Sequence, residues 1–123
     1  MTPAQRRAQL GRLSALAGMC RDSDAARLAA NEARMRALRH EIEGLRGAQA
    51  ERARCRALDP SRLSGADIHW SRENDRRIRR MLSRLAALAA ERETLLAAAR
   101  RSFGRSEALE TLVKRLPPPG PRR

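Results

Sequence analysis

Few side chains in this sequence could do chemistry, and their spacing keeps them apart. The thiols are Cys20 and Cys55 and the imidazoles His40 and His69. On one helix, at ~1.5 Å per residue, the two cysteines would lie on the order of 50 Å apart, too far for a disulfide within the chain. A zinc site would need both histidines to converge on them, and the spacing gives no support for that. Glu41 with Glu43, and Glu91 with Glu93, are carboxylates two residues apart, which a helix turns to different faces, so neither pair makes a general acid and base. There is no phosphate-binding glycine loop. The sequence therefore predicts no catalytic residues, no metal site and no cofactor, and a protein that is not an enzyme.

Arginine is the one abundant functional group. The formal net charge is +13, from 26 Arg and one Lys against 14 acids. Such a balance makes polyanions candidate partners, although a GC-rich genome also enriches arginine. Arg72, Arg76, Arg77, Arg79, Arg80 and Arg84 recur at helical spacings, and several share one face that could track phosphates. Against that stand the missing aromatic platforms and the interleaved acids. Residues 1 to 57 hold 12 basic and 6 acidic side chains, and residues 67 to 116 hold 12 and 7, so neither block is uniformly basic.

The elements that position these groups are helices. Ala, Leu, Arg and Glu dominate, with one Trp, one Phe and no Tyr, a composition of long helices and not of strands. "MTPAQ" places Thr2 as N-cap, Pro3 at the first helical position and Gln5 as the capping-box partner. From there a proline-free run carries Leu10, Leu13, Ala17, Cys20, Asp24, Leu28, Asn31, Met35, Leu38, Ile42 and Leu45 at steps of three and four. Two fours fall together around Asp24, the mark of a stutter.

"LDPSRLSGADIHW" interrupts the pattern, with helix disfavoured before Pro60 and a second cap read at Ser64 with Asp67. A second series follows as Ile78, Leu82, Leu85, Ala89, Arg92, Leu96, Ala99 and Phe103. It resumes in a shifted phase after Gly104 as Leu109, Leu112 and Leu116, and the prolines from Pro117 end it.

The expectation is a single all-α domain, an antiparallel coiled-coil hairpin over residues 1–123. It comprises a helix over 3–57, a turn over 58–65, a helix over 66–116 and a disordered tail over 117–123. By the rise per residue it would be roughly 75 to 80 Å long. Folding about residues 61 and 62 sets Leu45 against Ile78, Leu38 against Leu85, Cys20 against Phe103 and Leu13 near Leu109. Asn31 falls opposite Arg92 as a polar pin of register. Trp70 is expected to pack beside Leu58, Leu63 and Ile68 and close the turn. No run approaches the roughly 20 apolar residues of a membrane span, and no signal peptide opens the sequence, which predicts a cytoplasmic protein that does not span a membrane.

"AARRSFGRSEALETLVKRL", Ala98 to Leu116, resembles the closing segment of the FliJ family of flagellar export proteins and their type III secretion relatives. The plan of two long helices in one antiparallel coiled coil is similar as well. The resemblance implies a stalk like the central shaft of a rotary ATPase. Its paired terminal ends would enter a hexameric export ATPase, and other parts would meet a membrane export gate. Carried onto this sequence, the ATPase-facing residues are Arg6, Arg7, Leu10, Arg12, Leu13, Arg105, Leu109, Leu112, Lys114 and Arg115. No aromatic face in the middle of the chain matches a gate-binding surface.

Overall fold

The computed structural model describes residues 1–55, 60 and 64–118. Two long helices dominate, α1 over Pro3–Arg54 and α2 over Ala66–Arg115, and they pack against each other as an all-α helical hairpin. No strand occurs among the described residues.

The helix ends follow their local chemistry. Thr2 N–H donates to Gln5 Oε1 at 2.9 Å while Gln5 N–H donates to Thr2 Oγ1 at 3.2 Å, the reciprocal capping box that the first five residues predict. At the second start, Gly65 has φ of 80°, and its carbonyl accepts from His69 N–H at 3.2 Å. Gly65 directly precedes the helix, in a left-handed backbone that admits glycine and strains any residue carrying Cβ. Asp67 sits in the first turn, where a carboxylate faces the positive end of the helix dipole. Lys114 and Arg115 occupy the last turn, the complementary arrangement. Leu116 N–H closes on Val113 O at 3.2 Å before Pro117, which ends the helix one residue earlier than expected. The expected turn and tail fall largely on residues 56–59, 61–63 and 119–123, outside the described residues.

The chain forms two compact units. A terminal unit combines Met1–Ala30 with Arg92–Arg123, and a middle unit is Asn31–Glu91. In each, a segment of α1 runs antiparallel to a segment of α2.

The middle unit carries the apolar core. Met35, Leu38, Ile42 and Ile78 are buried there, with Leu45, Met81, Leu85 and Leu88 half-buried around them. Asn31, 2% exposed, donates from Nδ2 to Leu88 O at 3.1 Å, and its Oδ1 has no partner. From its inward position Asn31 thus bonds a backbone carbonyl of α2. An amide reaches a carbonyl without either group needing a desolvated charge. Asn74 is also buried, with its Nδ2 unpartnered.

The terminal unit is built differently. Its buried side chains are Ser102 and Ser106, and no apolar residue is buried among those described. Ser102 Oγ donates to Asp24 Oδ2, and Arg21 Nη1 donates to Ser106 Oγ at 3.1 Å. Arg21 also pairs with Asp22 at 3.2 Å and with Glu110 at 3.5 Å.

Burial corrects the expected seam. On α1 the inward residues include Arg7, Leu10, Ser14, Ala17, Arg21, Asp24 and Leu28, continuing through Asn31, Met35, Leu38, Ile42, Leu45, Gln49 and Arg52. These alternate threes and fours throughout, so there is no stutter. On α2 the same alternation runs through Ile78, Met81, Leu85, Leu88, Arg92, Leu95, Ala99, Ser102, Ser106, Leu109 and Val113, and on to Leu116 just past its end, with no shift at Gly104. Leu13, Cys20, Leu82, Ala89, Phe103 and Leu112, read from sequence as seam residues, are exposed, and Leu96 is only half-buried at its margin. The physical reason is that a helix has one phase. Once the large residues of the middle unit face inward, the same 3-4 alternation brings Ser14, Arg21, Ser102 and Ser106 inside and turns nearby leucines out. The register itself holds to within one turn of the expected fold line, as the Asp24–Ser102, Asn31–Leu88 and Gln49–Asp75 bonds record.

Candidate functional site

All ten residues that the resemblance assigns to partner binding lie in the terminal unit, so the fold gathers both chain ends into one surface. They divide by burial. Arg7, Leu10 and Leu109 are half-buried on the seam, whereas Arg6, Arg12, Leu13, Arg105, Leu112, Lys114 and Arg115 are exposed.

The exposed leucines are the informative members. Leu13 is 45% exposed and Leu112 48%, and Leu16, Met19 and Phe103 in the same unit are more exposed still. Large side chains outside and serines inside invert the usual partition, which leaves apolar surface unsatisfied in the free chain. Sequence reading placed Leu13 and Leu112 among the binding residues but also assigned them to the seam, and it missed Leu16 and Met19. Leu16 could have been found by extending the middle-unit phase backwards through Ala17 and Leu28, which leaves it off the inward stripe.

Two concave features adjoin this surface. A cleft of about 540 Å³ lies between Thr2, Pro3, Ala4, Arg7 and Ala8 on one side and Pro117 and Pro118 on the other. A smaller one of about 350 Å³ is lined by Arg6, Gln9, Leu10, Leu13 and Leu116. Each is lined by apolar side chains and one guanidinium, Arg7 in the first and Arg6 in the second, a surface suited to a protein partner carrying apolar side chains beside carboxylates.

The second predicted group, Arg72, Arg76, Arg77, Arg79, Arg80 and Arg84, lies on α2 in the middle unit, and all six are exposed. Two of them are partly neutralised. Glu73 takes Arg76 at 3.4 Å and Arg80 at 3.5 Å.

At the start of α2, Arg52 Nε donates to Asp67 Oδ1 at 2.5 Å, and Gln49 Nε2 donates to Asp75 Oδ1 at 2.9 Å. Trp70 is 39% exposed and Ile68 is exposed; the expected closure also involves Leu58 and Leu63, which lie outside the described residues. Cys20 and Cys55 are exposed, and neither forms a disulfide among the described residues. Among the described residues no cluster of His, Cys, Asp or Glu could hold a metal ion, and no helix is long and apolar enough to cross a membrane. Set against known protein families, characterised proteins and solved structures, the chain matches none.

Proposed function

We propose that this chain is a non-enzymatic, cytoplasmic coiled-coil stalk or adaptor of a flagellar or type III export apparatus, binding the hexameric export ATPase through its terminal unit. The observation that carries this reading is the inverted partition of that unit. Leu13 and Leu112 point outward among Arg6, Arg12, Arg105, Lys114 and Arg115, while the unit's buried side chains are Ser102 and Ser106, bonded to Asp24 and Arg21, and its inward leucines, such as Leu10, Leu28 and Leu109, are only half-buried. A seam with no fully buried apolar residue is a weak hydrophobic anchor, so the two helix segments stand to gain burial from a surrounding partner. A ring that encloses them supplies that burial while arginines on several faces make interchangeable charge contacts. The resemblance of Ala98 to Leu116 to the FliJ family gives the partner its name, and contact with the export gate remains outside the proposal.

The test is association of the full chain with the export ATPase of the same source. Replacing Leu13 and Leu112 with Ser, and separately Arg6, Arg12, Lys114 and Arg115 with Ala, should each abolish co-purification while leaving helicity by circular dichroism unchanged. Undiminished association of both variants would refute the assignment.

A second reading rests on the exposed arginines of α2, four of which make no ion pair with a described residue: Arg72, Arg77, Arg79 and Arg84. As a phosphate-tracking face they would make this an Arg-rich nucleic-acid-binding protein. Duplex DNA binding would then fall by about an order of magnitude or more between 50 and 200 mM salt, roughly as several phosphate contacts require. Arg77→Gln with Arg84→Gln would weaken it without regard to sequence. Binding that ignores salt would dismiss this reading.

A further inference from the structure

A groove in the middle unit, away from every residue used in the stalk reading, has the form of a seat for a third helix. It measures about 490 Å³. Its floor is Leu38, Met81 and Leu88, inward residues whose outer edges reach the groove. Its shoulders are Ala37 on α1 and Ala87 on α2, both exposed. Small residues on both shoulders let another backbone approach closely, so that its side chains could reach the apolar floor between the helices.

The rim states which helix would fit. Arg34 and Arg84 flank the groove with a single carboxylate, Glu41. None of the three makes an ion pair or hydrogen bond with a described residue, although Arg76 and Arg80 nearby in sequence do. Arg77, one heptad before Arg84 on α2, extends the basic flank and is likewise exposed. Two guanidinium groups with their donors free beside an apolar floor select an apolar stripe bordered by carboxylates. A second copy of this chain is the poorer occupant, because it would bring the same arginines together on molecules that each carry a net charge of +13.

We infer that the groove between Ala37 and Ala87 docks an amphipathic helix of a partner protein whose leucine-type stripe is flanked by Glu or Asp. The inference does not depend on the terminal unit or on the identity of the ATPase.

The probe is a synthetic peptide of about four heptads with Leu at the core positions and Glu at both flanking positions, beside a control with Lys in place of Glu. Binding to the full chain is read by fluorescence anisotropy at about 0.15 M salt. The Glu peptide should bind and the Lys peptide should not. Ala37→Gln with Ala87→Gln fills the groove without changing charge, uses a good helix former at exposed sites, and should weaken the Glu peptide at least about tenfold. Arg72→Gln with Arg79→Gln, which removes two positive charges outside the groove, should change binding less than about twofold. Arg34→Glu with Arg84→Glu should transfer the preference to the Lys peptide. Equal affinity of the filled variant and the parent would overturn the inference, since the attraction would then be charge alone. Sedimentation showing a dimer of the parent chain that groove filling abolishes would also overturn it, by assigning the groove to a second copy.

Discussion

Replacing Ile42 with Ala and, separately, Leu13 with Ala tests whether the seam changes character between the two units. Ile42 is 3% exposed in the apolar core of the middle unit. Truncating a buried Ile costs about 2–5 kcal/mol, and a two-helix seam has few neighbours and can partly collapse, so the lower end, about 2–3 kcal/mol, applies. Leu13 is 45% exposed, so its truncation forfeits only about half of the ~1.5–3 kcal/mol that full burial of a leucine would give. The few tenths of a kcal/mol by which Ala is the better helix former offset part of that, leaving about 0.5–1 kcal/mol. The gap of at least about 1 kcal/mol is measurable by urea unfolding. Circular dichroism reports all helix, while the fluorescence of Trp70, the single tryptophan, reports the middle unit alone. Ile42→Ala should shift both signals to lower urea, and Leu13→Ala should leave the Trp70 signal in place. A cost for Leu13→Ala equal to that of Ile42→Ala would refute the reasoning, because it would put Leu13 on the seam and remove the outward apolar surface on which the proposed function rests.

Three further variants test the polar layers. Asn31→Leu should raise the denaturation midpoint, because it removes a buried amide with an unpartnered Oδ1, while loosening register; broader or doubled NMR amide signals would reveal the lost specificity, and a lowered midpoint would show that the Leu88 carbonyl needs its donor. Asp24→Ala should cost about 1–2 kcal/mol by orphaning the buried Ser102 hydroxyl, whereas Asp24→Leu combined with Ser102→Ala should be neutral or stabilising; a double variant as unstable as the single would mean that the Asp24–Ser102 bond contributes net stability and not specificity.

The sequence by itself determined the class of fold and its punctuation. Abundant Ala, Leu, Arg and Glu without strand formers left only helices, and Thr2, Pro3, Gln5 and Pro117 are local signals whose hydrogen bonds or ring geometry need no tertiary context. The register about residues 61 and 62 was legible as well, because two long apolar stripes can be superimposed in few ways. Which residues face inward near the chain ends was not. Reading each apolar residue as buried produced a stutter at Asp24 and a phase shift at Gly104, and both vanish when the seam accepts Ser14, Arg21, Ser102 and Ser106. That outcome is cooperative: a helix cannot rotate residue by residue, so the packing of Met35, Leu38, Ile42 and Ile78 settles the phase that the α1 and α2 positions share. Only the tertiary structure could therefore turn Leu13 and Leu112 to the surface, set Asn31 on the Leu88 carbonyl, and open the groove between Ala37 and Ala87 with its free arginines.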